Sequence, residues 1–386
     1  MLWLMENIAV SKKTIATGFV VLFMLAFAGC MPSEPAASEV TTPVVVQTPK
    51  SGSTQPPTPT QKSTVRPVNS PTATETMLPV LPPEGILTQI QFGALTIDEY
   101  LLDGPPDIST EMLAFGFAAG DKKEILRKTE AYRDYRTQVM QYNNRVLEPF
   151  GYSHDRYNIY KSGEVIARHI YWIRPVSVNA SQTNFIAEVE LFGGIHVFNK
   201  DGIEKRTWSS GREAKCYVGD RMLSIDVASV AHQQVTFSAY LDDTLAYQTE
   251  LFPVSTYGIY DGPWSYDNHW AIVLLDAEKD EADNWKQVNR VIVDGQDLNS
   301  VYGYQQSFQF TVLAGHPFYF YQKDGKIGIS FDEAELPREY DEIPHYRCCS
   351  PALLNPGSSM NMIWFFAKRG PNWYYVEAYV PLDTEK

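Results

Sequence analysis

Four cysteines, seven histidines and 46 acidic residues are the groups in this 386-residue chain that could ligate a metal, attack a carbonyl or move a proton. Their spacing matches none of the short catalytic patterns. There is no H-E-x-x-H zinc pair, no G-x-S-x-G nucleophile elbow, no G-x-x-x-x-G-K-[ST] phosphate loop and no G-x-G-x-x-G dinucleotide turn. Asp276-Ala277-Glu278-Lys279-Asp280 opens with alternating carboxylates, as a calcium loop does. Glu281, however, stands where the sharp turn needs Gly, and Gln287 where a bidentate Glu would complete the ligand set. A solvated acidic hairpin loop is the expectation. His345, Cys348 and Cys349 are soft-metal ligand types, but adjacent cysteines rarely turn both thiolates onto one tetrahedral ion without a further partner. No metal and no cofactor is therefore assigned. Near the C-terminus lie Trp364-Phe365-Phe366 and Trp373-Tyr374-Tyr375. Strand alternation puts Trp364 and Phe366 on one face and Phe365 on the other. Trp364, Trp373 and Tyr374 are thus candidate ligand-contact aromatics, suited to sugar stacking or protein contact, with core packing as the competing role.

Where these groups act depends on the N-terminus. Lys12 and Lys13 precede an apolar run from Ile15 to Ala28, broken only by Thr17 and Gly18 and ending in Phe27-Ala28-Gly29-Cys30. Basic, then apolar, then small is the order of an export signal. The run is shorter than the roughly twenty residues that a membrane-spanning helix needs. Met1 and Met5 both lie upstream of the basic pair, so either serves as initiator. The ending resembles the lipobox of bacterial lipoproteins, in which a cysteine after small residues receives lipid and becomes the mature N-terminus. That resemblance implies a signal peptide over 1–29, lipidation at Cys30, and a place in the cell envelope on the outer face of the cytoplasmic membrane. Two or more acyl chains at about 0.8 kcal/mol per buried CH₂ would make the anchor stable.

Export would leave Cys216, Cys348 and Cys349 in an oxidising compartment. Three thiols cannot all pair within one chain. Either Cys216 bridges one of the adjacent pair, or Cys348 and Cys349 form a vicinal disulfide with Cys216 buried. The long loop that a Cys216 bridge closes favours the first, in the chain-entropy account.

Residues 30–84 are a tether. Twelve of the 25 prolines fall between Met31 and Glu84, with many Thr and Ser and no aromatic residue. Such a segment cannot bury enough apolar area to offset its ordering entropy, and it is expected to stay extended and disordered. The net charge of −14 argues against nucleic acid as a partner and against a polybasic membrane contact. The membrane partner is then the N-terminal lipid alone.

The positioning elements begin near Gly85. Residues 85–152 are expected to form a helical lead-in, with one convincing helix from Asp121 to Pro149 and no clear period over Leu87 to Tyr100. From 153 to 386 the pattern alternates. Strand-like runs such as Phe185–Phe192, Val235–Leu241 and Val288–Val293 are separated by turn pairs that include Asp242-Asp243, Asp261-Gly262 and Asp294-Gly295. An antiparallel, mainly β domain follows. Lys323-Asp324-Gly325-Lys326-Ile327-Gly328-Ile329 with Pro337-Arg338-Glu339-Tyr340-Asp341-Glu342-Ile343 resembles one unit of the WG-type β-repeats, and Val293-Asp294-Gly295 echoes propeller blades. The resemblance implies meandering, propeller-like repeats after a disordered linker, and no particular activity. The sequence therefore points to a lipid-anchored binding or envelope-structural protein rather than an enzyme, with a cell-wall glycan or an envelope protein as partner. The alternative is a glycan- or cell-wall-active hydrolase, for which the carboxylates are too numerous for any pair to stand out.

Overall fold

The computed structural model describes residues 88–106, 134–192, 194–205, 212–229, 234–252, 259–279, 283–344 and 355–381. The signal, the tether, Cys30, His345, Cys348 and Cys349 lie outside the described residues.

The described chain is antiparallel β-sheet arranged as successive propeller-like blades. Leu87 to Tyr100, which shows no clear period, gives two strands, β1 (Thr88–Phe92) and β2 (Leu95–Leu102). The helix α1 spans Tyr135–Leu147, so it starts well after the Asp121 at which the sequence places its beginning; residues 121–133 lie outside the described residues. Asp134 caps it by accepting from the Thr137 amide at 3.0 Å. Gly151, at φ +74°, closes the following turn. A small sheet of β3 (Tyr152–His154), β4 (Asn158–Lys161) and β5 (Glu164–Arg168) packs beside the helix. Asn144 holds it there, donating to the His154 carbonyl at 2.9 Å and accepting from the His154 amide at 2.7 Å.

Five larger sheets follow. The first contains β6 (Trp172–Ile173), β7 (Ser177–Val178), β8 (Phe185–Leu191), β9 (Gly194–Asn199) and β10 (Gly202–Lys205). The second is β11 (Glu213–Val218), β12 (Arg221–Ser229), β13 (Val235–Leu241) and β14 (Thr244–Leu251). The third is β15 (Tyr260–Tyr266), β16 (His269–Lys279), β17 (Trp285–Val293) and β18 (Gln296–Asp297), followed by the short helix α2 (Leu298–Tyr302). The fourth is β19 (Gln306–Leu313), β20 (His316–Lys323), β21 (Lys326–Phe331) and β22 (Ala334–Tyr340). The fifth joins both ends of the described chain, because β23 (Gly357–Ser358), β24 (Met362–Arg369) and β25 (Asn372–Tyr379) are extended by β2 and then β1.

The residues explain the meander. Asp324 and Gly325 take φ +52° and +76°, the left-handed pair that a tight hairpin between β20 and β21 requires. Strand β20 is buried on both faces because the fourth blade packs between the third and the fifth. Phe308, Phe318, Phe320 and Phe365 fill the space between the fourth and fifth blades, with the Phe320 and Phe365 rings 4.9 Å apart and edge-on. A separate core joins the second and third blades, and another the third and fourth. The first blade instead packs against α1 and the small sheet through Leu147, Tyr152, Ile159 and Phe185.

Between the fifth and first blades the helix provides the link. Gln138 of α1 accepts from the Met360 amide at 3.1 Å. On the other side Asn143 accepts from the Val176 amide at 2.8 Å and donates to the Arg174 carbonyl at 3.2 Å.

Candidate functional site

Residues of all five sheets and of α1 line one central cavity of about 1450 Å³, the strands that reach it being β7 and β8, β11, β15, β19 and β23. The turns leaving those strands meet at one end. The Ala180 amide donates to the Gly219 carbonyl at 2.9 Å between the first and second blades, and Ala314 donates to Met360 at 2.8 Å between the fourth and fifth. Inside, Ser177 Oγ accepts from the Tyr217 amide at 2.8 Å, fastening β7 to β11.

Three of these lining strands lose register where they meet the cavity. In β11 the shift leaves Lys215 between paired Ala214 and Cys216. In β15 it falls between Asp261 and Trp264, and in β19 between Phe308 and Thr311, where Gln309 adopts φ +55°. A bulge turns a side chain out of the regular alternation, and bulges are common beside functional sites. A left-handed Gln also costs backbone energy that the surrounding structure must hold. Asp261-Gly262, expected as a hairpin turn, is therefore part of a cavity-lining strand. Gly262 is required there, since a Cβ would sit 2.4 Å from the Trp264 ring.

The charged groups form a defined set. Glu188 bridges two cations, with Arg174 Nε at 3.1 Å and Lys215 Nζ at 2.9 Å. Lys215 also meets Glu213 at 2.9 Å, and its side chain is only 7% exposed. Asp261 accepts from the Gly262 amide at 2.8 Å. Its residue surface is open to the cavity, yet the surrounding protein desolvates the carboxyl enough to raise its pKa, against the opposing pull of the Gly262 amide and Arg174. Tyr135 of α1 faces the same group. Desolvation raises its phenol, Asp261 raises it further, and Arg174 opposes both. Helix positions 135, 138, 141, 142 and 145 line the cavity together, the one-face spacing of an α-helix.

Of the two thiol arrangements weighed, Cys216 takes the one in which it is buried and free; Cys348 and Cys349 lie outside the described residues. The β11 bulge turns Cys216 into the apolar core between the second and third blades, where it packs as a small hydrophobe. Burial pushes its pKa up to about 12, with a hydrogen bond to Ser265 opposing. Among the other residues singled out in the sequence, Trp364 lies half-buried in β24 with its indole against Gly357. Tyr374 is buried, with the Arg369 guanidinium 4.6 Å from its ring centre, and Trp373 is half-buried at the start of β25. None of the three lines the cavity. Asp276 sits in β16, not in a loop, paired with Arg290 at 3.2 Å and accepting from the Phe252 amide at 2.9 Å.

Arg174, Lys215, Asp261, Gln309 and Tyr135 are the site residues that the sequence reading passed over. The available signal was the recurrence of a strand start at the blade spacing of about 40–50 residues. Among the described residues no three His, Cys, Asp or Glu side chains gather as a metal set, and no helix is long and apolar enough to cross a membrane. No protein-family model and no curated protein matches the chain.

Proposed function

We propose that this protein is a lipid-anchored, extracytoplasmic binding protein that takes its ligand into the central cavity. The observation that carries the binding role is the convergence of three strand bulges, at Lys215, Gly262 and Gln309, on one cavity. The anchoring half of the reading rests on the lipobox-like Phe27-Ala28-Gly29-Cys30, with the Pro/Thr-rich segment that follows as the tether. A cavity ringed by five blades suits a small molecule or the end of a glycan chain better than a folded envelope protein.

One observation favours the hydrolase reading as second. Asp261, with its raised pKa, shares the cavity with Glu188, and carboxyls whose surroundings differ are how acid and base roles separate. Against it, both Glu188 oxygens are engaged by cations, which leaves neither free to act on a water.

A thermal-shift screen of the purified protein against cell-wall fragments, oligosaccharides, peptides and divalent cations tests the binding role. A ligand at about 100 times its Kd stabilises by ~2.7 kcal/mol, a visible shift. Turnover of any hit would replace binding by hydrolysis. Incorporation of radioactive palmitate tests the anchor: label that persists in Cys30→Ala removes the lipoprotein assignment.

A further inference from the structure

We propose that the cavity selects uncharged, polyhydroxylated ligands of oligosaccharide size; this rests on the binding reading above. The first argument is charge balance. Arg145, Arg174 and Lys215 line the cavity against Glu188, Asp261 and Asp267, three cations facing three carboxylates in a chain of net charge −14. A receptor for an anion needs cations left over to form charge-assisted bonds with it. Here Lys215 holds both Glu188 and Glu213, and Arg174 holds Glu188, so these two cations are already committed to protein carboxylates, and the remaining one, Arg145, is outnumbered by Asp261 and Asp267.

The second argument is what remains open to a ligand. Tyr135, Gln141, Arg145, Asp261 and Asp267 are exposed within the cavity lining, and Gln309 is half-buried at its bulge. A phenol ring, two planar amides, a guanidinium and two carboxylates are groups that recognise a sugar. The amides donate and accept in one plane, the carboxylates accept from neighbouring hydroxyls, and the ring offers a flat face to C–H groups. Tyr135 and Asp261 influence one another electrostatically, which places the flat face and the strongest acceptor in one region.

The third argument is size. At about 1450 Å³ the cavity exceeds the roughly 300–1,000 Å³ usual for a single small-molecule site. Several linked sugar rings fill it better than one.

The test uses the full chain and two sets of trisaccharides. Maltotriose, cellotriose and triacetylchitotriose are uncharged; trigalacturonate carries three carboxylates. Calorimetry is expected to show binding by at least one uncharged trisaccharide and binding by trigalacturonate at least tenfold weaker. Asp261→Asn should weaken the uncharged ligand about tenfold or more, the loss of a charge-assisted hydrogen bond. Gln309→Gly, which suits φ +55°, should weaken it severalfold while the protein melts no lower. Trigalacturonate binding as tightly as the uncharged sugars overturns the proposal, as does unchanged affinity in Asp261→Asn. Silence of both sets alongside a shift from another ligand class overturns the saccharide assignment and leaves the binding reading standing. Silence across the whole screen overturns both.

Discussion

Single residues show how this fold uses unusual backbone and burial. Gln309 holds a left-handed conformation in the middle of a strand, at a position that loses its pairing. If that conformation is fixed by the bulge and not by the side chain, replacing Gln309 by Gly relieves strain of about 1 kcal/mol. The variant is expected to melt at or above the wild-type temperature in the absence of ligand; a clear drop would show that the Gln side chain itself supports the strand. Cys216 gives a second prediction. With its pKa near 12, almost no thiolate exists at pH 8, and the residue is buried as well. Iodoacetamide should leave the Cys216 peptide unmodified in the native protein and label it fully in urea. Native labelling of that peptide, read by mass spectrometry, would contradict both its burial and its raised pKa.

At the scale of elements, the joint between the N-terminal strands and the last two blades depends on one buried carboxylate. Glu99 of β2 is fully buried and accepts from Arg338 Nε at 2.9 Å, from both terminal nitrogens of Arg369 at 3.0 Å and from the Tyr340 hydroxyl at 2.7 Å. Burial alone would raise its pKa, but the hydrogen bonds and charges of Arg338 and Arg369 outweigh burial and hold it below 4.5. A carboxylate whose folded pKa is depressed stabilises above its unfolded pKa and loses that contribution as pH falls through the folded value. Glu99→Gln leaves two guanidiniums facing a neutral amide, so it should cost about 3–5 kcal/mol near pH 7. The gap to wild type should narrow below pH 4.5, measured by urea unfolding at a series of pH values. A gap that is constant with pH would deny the charge its role. Little of this joint was legible in the sequence. Alternation and the turns at Asp242-Asp243 and Asp294-Gly295 mark β13 to the residue and all of β17 but its first three residues, because local chemistry sets hairpins. Glu99 and Arg338, by contrast, meet across most of the chain, and nothing local in Leu-Thr-Ile-Asp-Glu-Tyr-Leu-Leu announces a partner so far away. The cavity was hidden for the same reason: Lys215, Asp261 and Gln309 sit on different blades and converge only once the ring is built. Asp261-Gly262 misleads as a turn because bulges use the same residue types that hairpins do.

At the scale of the molecule, the segment that follows the tether is also a structural part of the ring. Strand β2 pairs with β25 from Thr96 against Tyr379 to Leu102 against Trp373, and β1 covers β2 in turn. Ile90, Phe92, Leu95 and Ile97 bury their side chains in the same core as Phe320 and Phe365. Burying four such side chains contributes on the order of 6–12 kcal/mol, comparable to the 5–15 kcal/mol that stabilises a typical domain. Deleting 88–102 would therefore strip the main chain of β25 of its partner and open the apolar core of the fifth blade. The deletion variant is expected to lose its cooperative melt by circular dichroism and to elute as aggregate from a sizing column. A monomer melting at the wild-type temperature would mean that the ring is held by α1 between the first and fifth blades, with the N-terminal strands an accessory layer. In that case the tether could be shortened up to Leu102 without loss of the cavity, and ligand affinity in the deletion variant would equal that of the full chain.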